Sequence, residues 1–174
     1  MINYEWLNGE QAQQQLAALC RVLTDCVAEG ASVGFIDAAD DKTIRDFWQA
    51  GIQAVAQGEK ALAVARQGDE IVATVMVVMA MPANGMHRAE VCKLLVRPTA
   101  RRQGIARTLM LMAEEYARRA GRTLLVLDTR SDDHAQGLYL TLGWKIAGQI
   151  PAYALSTEGV LDATTVMYKP LGAA

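Results

Sequence analysis

The stretch Ile71–Pro82 constrains the fold more than any other part of the chain. It is rich in Val and nearly apolar from Ile71 to Met79, with Thr74 inside it and Pro82 punctuating its end. An apolar, β-branched run of this kind reads as a central strand of a sheet. It falls short of the roughly 18 consecutive apolar residues that a membrane-spanning helix needs. Ala61–Ala65 precedes it as a second strand, and Gln67-Gly68-Asp69-Glu70 between them reads as a turn.

Helical periods flank this pair of strands. Ile2–Leu7 reads as a short first strand. Glu10–Glu29 is rich in Ala, Gln and Leu, and Leu16, Leu19, Leu23 and Val27 form one stripe, predicting a single helix ended by Gly30. Ala31–Ala38 contains Gly and has no clear period, and reads as a loop beside the substrate site. Asp40 or Asp41 caps a second helix whose buried side holds Ile44, Phe47, Trp48, Ile52 and Val55 and which closes at Gly58.

After the loop Pro82–Gly85, His87–Val96 reads as a strand stopped by Pro98. Gly104–Ala120 is a helix with Ile105, Leu109, Met112 and Tyr116 on or near one face, ended by Gly121. Leu124–Leu127 is a short strand, and Asp132 or Asp133 caps a helix carrying Ala135, Leu138, Tyr139 and Leu142. Trp144–Gln149 is a strand, Pro151–Gly159 a loop and Thr164–Tyr168 the last strand. Early hairpins and a later strand–helix–strand predict one α/β domain over 1–174 with a mixed sheet.

Composition excludes several classes. With 174 residues, 52% hydrophobic and 21% charged, the chain can bury a sizeable core. A net charge of -2 lacks the positive field of a strong nucleic-acid binder. The Lys and Arg residues nonetheless cluster around Arg97–Arg107. Three cysteines (Cys20, Cys26 and Cys92) are an odd number for a disulfide framework, and only 2 His residues are present. No zinc spacing or converging ligand set emerges, so no metal is expected and the thiols read as reduced and packed. Met1–Trp6 has no basic region followed by an apolar one, which predicts a cytoplasmic protein without a membrane anchor.

The segment that carries chemistry is Val96–Met110, "VRPTARRQGIARTLM". A strand runs into a loop holding Arg101, Arg102 and Gln103, and Gly104 and Ala106 then open a helix. Such a turn aims successive N–H groups at one point, and the helix start adds a positive partial charge. A diphosphate suits that geometry, and Gly104 permits its close approach. Arg101, Arg102 and Arg107 add charge. On charge alone the segment stays open between a solvated helix face and a ligand site. It is neither a Walker A loop nor a dinucleotide fingerprint.

Arg101, Gly104 and Ala106 occupy the positions of the Arg/Gln-x-x-Gly-x-Gly/Ala pattern, and the segment resembles motif A of the GNAT superfamily of N-acetyltransferases. The resemblance implies the GNAT (acyl-CoA N-acyltransferase) fold, a mixed, mostly antiparallel central sheet flanked by helices, and acetyl-CoA as acetyl donor. It implies that the amides of Gln103, Gly104, Ile105 and Ala106 hold the CoA pyrophosphate. It also implies that the preceding strand splays from its neighbour, so that Leu94, Leu95 and Val96 pair with the pantetheine arm, the N–H near Leu95 serving as oxyanion donor. "DDHAQGLYLTLGW", Asp132–Trp144, is similar to motif B, with Asp132 in place of the usual Asn, whose contact to the cofactor arm the resemblance implies for it, and Trp144 in place of Phe.

Four further stretches, "GASVGF" at 30–35, Asn84–Arg107, "LLVLDT" at 124–129 and Ile150–Leu171, resemble the tabtoxin-resistance acetyltransferases. That group acetylates a β-lactam dipeptide toxin or its amino-acid warhead, which implies a small-molecule amine as acceptor and a role in antibiotic resistance. A peptide or protein acetyltransferase and a non-catalytic CoA-binding module are the alternatives. Whether the chain acts as monomer or homodimer is not legible.

Direct acetyl transfer needs a base for the ammonium, stabilisation of the carbonyl oxygen and a proton for the leaving thiolate. Glu90, on the strand leading into the Arg-rich loop, is the base candidate, or else a strand-surface residue paired with Lys93 or Arg88. Asp128 ends the next strand, where α/β sheets place ligands, and binds the acceptor ammonium or shares the base role, or else caps a helix or turn with Thr129. In the tabtoxin-resistance group the matching acidic residues are the proposed base pair. Tyr139 reads from its helix as a packed aromatic, whereas the resemblance places it beside the CoA sulfur as acid. Phe35, Trp48 and Tyr153 are candidate walls for the acceptor. His87, His134, Cys92 and the Met residues are read as structural.

Overall fold

Seven strands form one sheet in the order β1-β2-β3-β4-β5-β7-β6. In the computed structural model, which describes residues 1–172, these are β1 (Ile2–Leu7), β2 (Lys60–Gln67), β3 (Glu70–Val78), β4 (Arg88–Val96), β5 (Leu124–Arg130), β6 (Lys145–Leu155) and β7 (Leu161–Pro170). The pair β4–β5 is parallel and the other neighbouring pairs are antiparallel. The helices are α1 (Gly9–Gln14), α2 (Leu16–Ala28), α3 (Asp41–Ala56), α4 (Ile105–Arg119) and α5 (His134–Thr141). The expected fold class is the one observed.

Both faces of the sheet are covered, and the period-2 alternation of β2 shows how. Ala61, Ala63 and Ala65 face a core completed by Ile105, Leu109, Met110 and Ala113 of α4. Leu62 and Val64 face the opposite core, built on Leu19, Leu23, Ile44 and Trp48 of α2 and α3. Burial on both sides explains why β3 is apolar throughout: Ile71–Val77 is a continuous buried run. On α4, Met110, Ala113 and Ala117 are buried. Tyr116, expected on the inner face, is 36% exposed, and its ring lies 4.6 Å from that of Trp6.

Several boundaries differ from the sequence reading. The helix expected over Glu10–Glu29 breaks at Gln15, which leaves α-helical geometry at φ -103, ψ 11. Asn8 and Gln11 form a capping box that starts α1 separately. Gly9 lies so close to Ala56 at the end of α3 that a Cβ there would meet Ala56 Cβ at 2.6 Å, so α1 docks on α3. β5 continues past Leu127, because Asp128, Thr129 and Arg130 keep pairing with β7.

The loop expected from Pro151 begins later. β6 runs to Leu155, with a bulge between Ile150 and Ala154 that absorbs Pro151 and Tyr153 and puts Ala152 at φ 51. Pro has no N–H for a ladder, and a bulge on an edge strand tolerates it. Among the described residues, no helix is long and apolar enough to cross a membrane.

Candidate active site

The parallel pair opens where the cavity begins. Residue pairing between β4 and β5 covers Arg88–Leu124, Ala89–Leu125 and Glu90–Val126 and then ends, although β4 runs on to Val96 and β5 to Arg130. A bulge helps to turn β4 away. The β3–β4 register shifts between Thr74 and Met76, opposite Lys93 and Leu94, and Lys93 sits at φ 51. Thr74 Oγ1 donates to Lys93 O at 2.8 Å and pins the bulge. Beyond it, Arg97 N–H donates to Val72 O on β3. Alternation then turns the backbone groups of Leu95 toward β3 as well and those of Val96 toward the gap. The oxyanion donor expected near Leu95 is therefore a backbone N–H on the gap side of β4, beside Leu95, if β4 supplies one. Val96 O is already engaged, by Cys26 Sγ at 3.5 Å and Arg101 Nε at 3.3 Å.

A cavity of about 690 Å³ fills the gap. Its walls come from β4, β5, the loop into α4, residues 31–34, the start of α5 and the β6–β7 hairpin.

One end of the cavity is the start of α4. Gly104 is the N-cap, in left-handed geometry at φ 75, and open space surrounds the point where a Cβ would stand. The first helical hydrogen bond is Thr108 N–H to Gly104 O, which leaves the amides of Ile105, Ala106 and Arg107 without helical acceptors. Arg101, Arg102 and Arg107 line the same end. Open space over a glycine, free amides and three guanidinium groups suit a diphosphate, and the strand gap continues from it as a slot.

The middle of the cavity gathers the titratable groups. Glu90 is half-buried, and burial, then the charge of Asp128, pushes its carboxyl above the ordinary range, with Lys93 and Lys60 opposing. It makes no ion pair among the described residues, so the strand-surface pairing with Lys93 or Arg88 is not what the fold forms. Asp128 is held by Thr164, whose Oγ1 donates to Asp128 Oδ2 at 3.1 Å. Tyr139 reaches the cavity from α5 and is 6% exposed. Burial, with Asp133 and Asp128 adding to it, raises its phenol well above the usual value, so it is protonated at neutral pH. Cys92 lines the cavity too, but burial raises its thiol, and the Cys26 thiol is pushed up to about 11. Both are poor thiolates, in keeping with packed cysteines.

The model of the acetyltransferase (GNAT) family matches residues 16–144. The chain belongs to this family. It is an enzyme family of acyltransferases, as the sequence reading expected, and solved structures share the fold over nearly the whole chain. N-acetyltransferase from Staphylococcus aureus Mu50 superposes with a TM-score of 0.81 at 16% identity, covering 99% of each chain. YncA from Salmonella typhimurium, solved with its cofactor acetyl-CoA, gives 0.79 at 17% identity, over 100% of this chain and 96% of that one. Ribosomal-protein-alanine N-acetyltransferase from Brucella melitensis gives 0.79 at 20% identity, over 97% and 99%.

Most residues singled out in this GNAT chain converge. Leu94, Leu95, Val96, Arg101, Arg102, Gly104, Ile105, Ala106 and Arg107 line the cavity with Glu90, Asp128, Tyr139 and Tyr153. Four do not line it. Gln103 turns its side-chain amide to Ala100 O at 3.3 Å. Asp132 sits at φ 63, and its neighbour Asp133 is the N-cap of α5 and the residue on the wall. Phe35 packs edge-on against Phe47, 5.4 Å between centroids. Trp48 is fully buried in the α2–α3 core. Its place among the buried positions of α3 fits, and a role as an acceptor wall does not.

Sequence reading missed Arg130. Its guanidinium donates to Gly30 O at 3.0 Å and pairs with Asp133 at 3.3 Å and Asp162 at 3.8 Å. It thereby ties the 30–34 loop, α5 and β7 around the cavity. No local motif marks such a residue, because two of its three partners, Gly30 and Asp162, lie far away in sequence.

Proposed function

We propose that this GNAT enzyme transfers acetyl from acetyl-CoA to the amine of a small molecule, with both substrates bound together. The observation that carries the reading is the meeting, in one cavity, of a strand gap ending at free helix amides with Glu90, Asp128 and Tyr139. Acetyl-CoA supplies the thioester and the leaving thiolate. The amides of Gly104 to Arg107 and the three Arg side chains hold its diphosphate, and Leu94–Val96 flank its arm. A backbone N–H on the gap side of β4, rather than that of Leu95, faces the thioester oxygen.

Glu90, with Asp128 beside it, removes a proton from the acceptor ammonium. A carboxyl raised toward neutrality is the better matched base. Tyr139, protonated at neutral pH, donates to the departing sulfur. No covalent enzyme intermediate is needed, and the raised thiols offer none.

The acceptor is an amino-acid-like or dipeptide-like amine, as in the tabtoxin-resistance acetyltransferases that the sequence resembles. Calorimetric titration of acetyl-CoA, followed by an acetylation screen of amino acids, dipeptides, polyamines and longer peptides, tests both halves. Saturable binding and turnover of small amines are expected. Absence of binding at about 1 mM removes the donor half. Preference for long peptides replaces the acceptor half with the peptide reading.

A further inference from the structure

Lys93 is the charged group that this mechanism leaves unused. It lies on the cavity wall, half-buried, at the bulge that opens the β4–β5 gap. Its left-handed backbone is an uncommon conformation for a residue with a side chain. The Thr74 hydroxyl holds its carbonyl in place. A bulge of this kind re-aims one side chain out of the strand's alternation.

What Lys93 touches is telling. Its Nζ stands 5.1 Å from the centroid of the Phe47 ring, a cation–π contact that steadies the ammonium without neutralising it. Among the described residues it forms no ion pair and donates no hydrogen bond. Arg130, the cation across the acceptor end, is committed to Gly30 O, Asp133 and Asp162. The acceptor end thus holds two carboxylates outside ion pairs, Glu90 and Asp128, and an ammonium that acts on Glu90 through space but has no carboxylate within ion-pair distance.

We infer that Lys93 binds the carboxylate of the acceptor, so that this site selects amines that carry a carboxylate, as amino acids and short peptides do. The inference rests on the acetyltransferase reading above and names the charge pattern its acceptor must have. The acceptor ammonium lies toward Glu90 and Asp128, and the acceptor carboxylate completes the pair that Lys93 lacks. A charge-assisted hydrogen bond of this kind gives about tenfold to hundredfold discrimination against an analogue without the charge.

The test compares amino acids and dipeptides with their C-terminal amides, as acceptors for the full chain with saturating acetyl-CoA. The wild type is expected to favour the free acids by at least about tenfold in kcat/KM, mostly through KM. Lys93→Met, which keeps an apolar stem on Phe47, collapses that preference, and Lys93→Arg restores most of it. The acetyl-CoA Kd of each variant, measured by calorimetry, stays within about twofold of wild type and reports an intact fold.

Equal use of acids and amides by the wild type overturns the inference. So does a Lys93→Met enzyme that keeps the preference, or one that slows on every acceptor alike with only a displaced pH profile. The last result makes Lys93 a through-space partner of Glu90. A Lys93→Met protein that loses acetyl-CoA affinity about tenfold overturns it too, because the anion is then a cofactor phosphate. Saturable acetyl-CoA binding with no turnover of any panel amine removes the carboxylate-bearing acceptor and leaves the donor half standing. Absent acetyl-CoA binding fails the acetyltransferase reading itself.

Discussion

The two ends of the cavity are built in opposite ways. The α4 end comes from one short stretch, Val96–Arg107, in which strand, loop, left-handed Gly104 and helix start follow one another. The acceptor end is assembled from residues 31–34, β4, β5, the start of α5 and the β6–β7 hairpin, held together by side chains such as Arg130 and Thr164. A site made of backbone geometry in one segment is rigid and readable. A site made of distant side chains depends on how the layers pack, and is where substrate choice can vary while the fold stays constant.

Substitutions at the two ends sharpen that contrast. Tyr139→Phe is expected to have the largest effect, lowering kcat by about 100-fold or more while the acetyl-CoA Kd stays within about twofold. Equal turnover removes Tyr139 from the acid role. Glu90→Gln is next, at about 100-fold in kcat/KM, with loss of the acidic limb of the pH–rate profile. The stability sign runs the other way. A carboxyl whose folded-state pKa is raised contributes stability below its unfolded pKa, and that contribution is lost as pH rises through the folded value. Glu90→Gln should therefore melt no lower than wild type at neutral pH, and a clear drop in Tm makes Glu90 a structural residue.

Gly104→Ala tests the α4 end alone. The space around the missing Cβ is open, so the cost is left-handed strain of about 1–2 kcal/mol together with blocked approach of the ligand. A roughly tenfold weaker acetyl-CoA Kd is expected, with KM for the acceptor little changed. Arg130→Gln is its counterpart at the acceptor end, expected to raise the acceptor KM about fivefold without moving the acetyl-CoA Kd. Reversal of those two patterns breaks the division into ends.

The smallest effect is a displacement along the pH axis. In the proposed mechanism Glu90 acts deprotonated, so activity is expected to rise with pH through its pKa, which burial and then the charge of Asp128 hold up. In Asp128→Asn the like charge is gone, and the acidic limb should move to lower pH. A limb that stays in place separates Asp128 from Glu90.

How far the sequence carried differs in the same way. The apolar run of β3 identified a strand buried on both faces, because an exposed face would have required polar residues every second position. The α2 stripe and the cap of α3 were equally legible. The break at Gln15 was not, because α1 is positioned by contact between Gly9 and Ala56, far apart in the chain. β5 looked short because Asp128, Thr129 and Arg130 are polar, and only pairing with β7 keeps them in the sheet. Trp48 illustrates the same limit within the site. Its spacing on α3 marked it as buried, and its aromatic character invited a second role that complete burial denies.

The sequence by itself determined the order of elements and the strand–loop–helix turn at Gly104, since both follow from local periodicity and from the conformations open to that glycine. Tertiary structure alone decided that Glu90 and Asp128 share one cavity, that the Leu95 N–H turns toward β3, that Arg130 ties the cavity walls, and that Lys93 stands there without an ion pair. Those are relations between side chains on different elements. Strand register, a bulge and layer packing set them, and none of these is written in any single stretch of the chain.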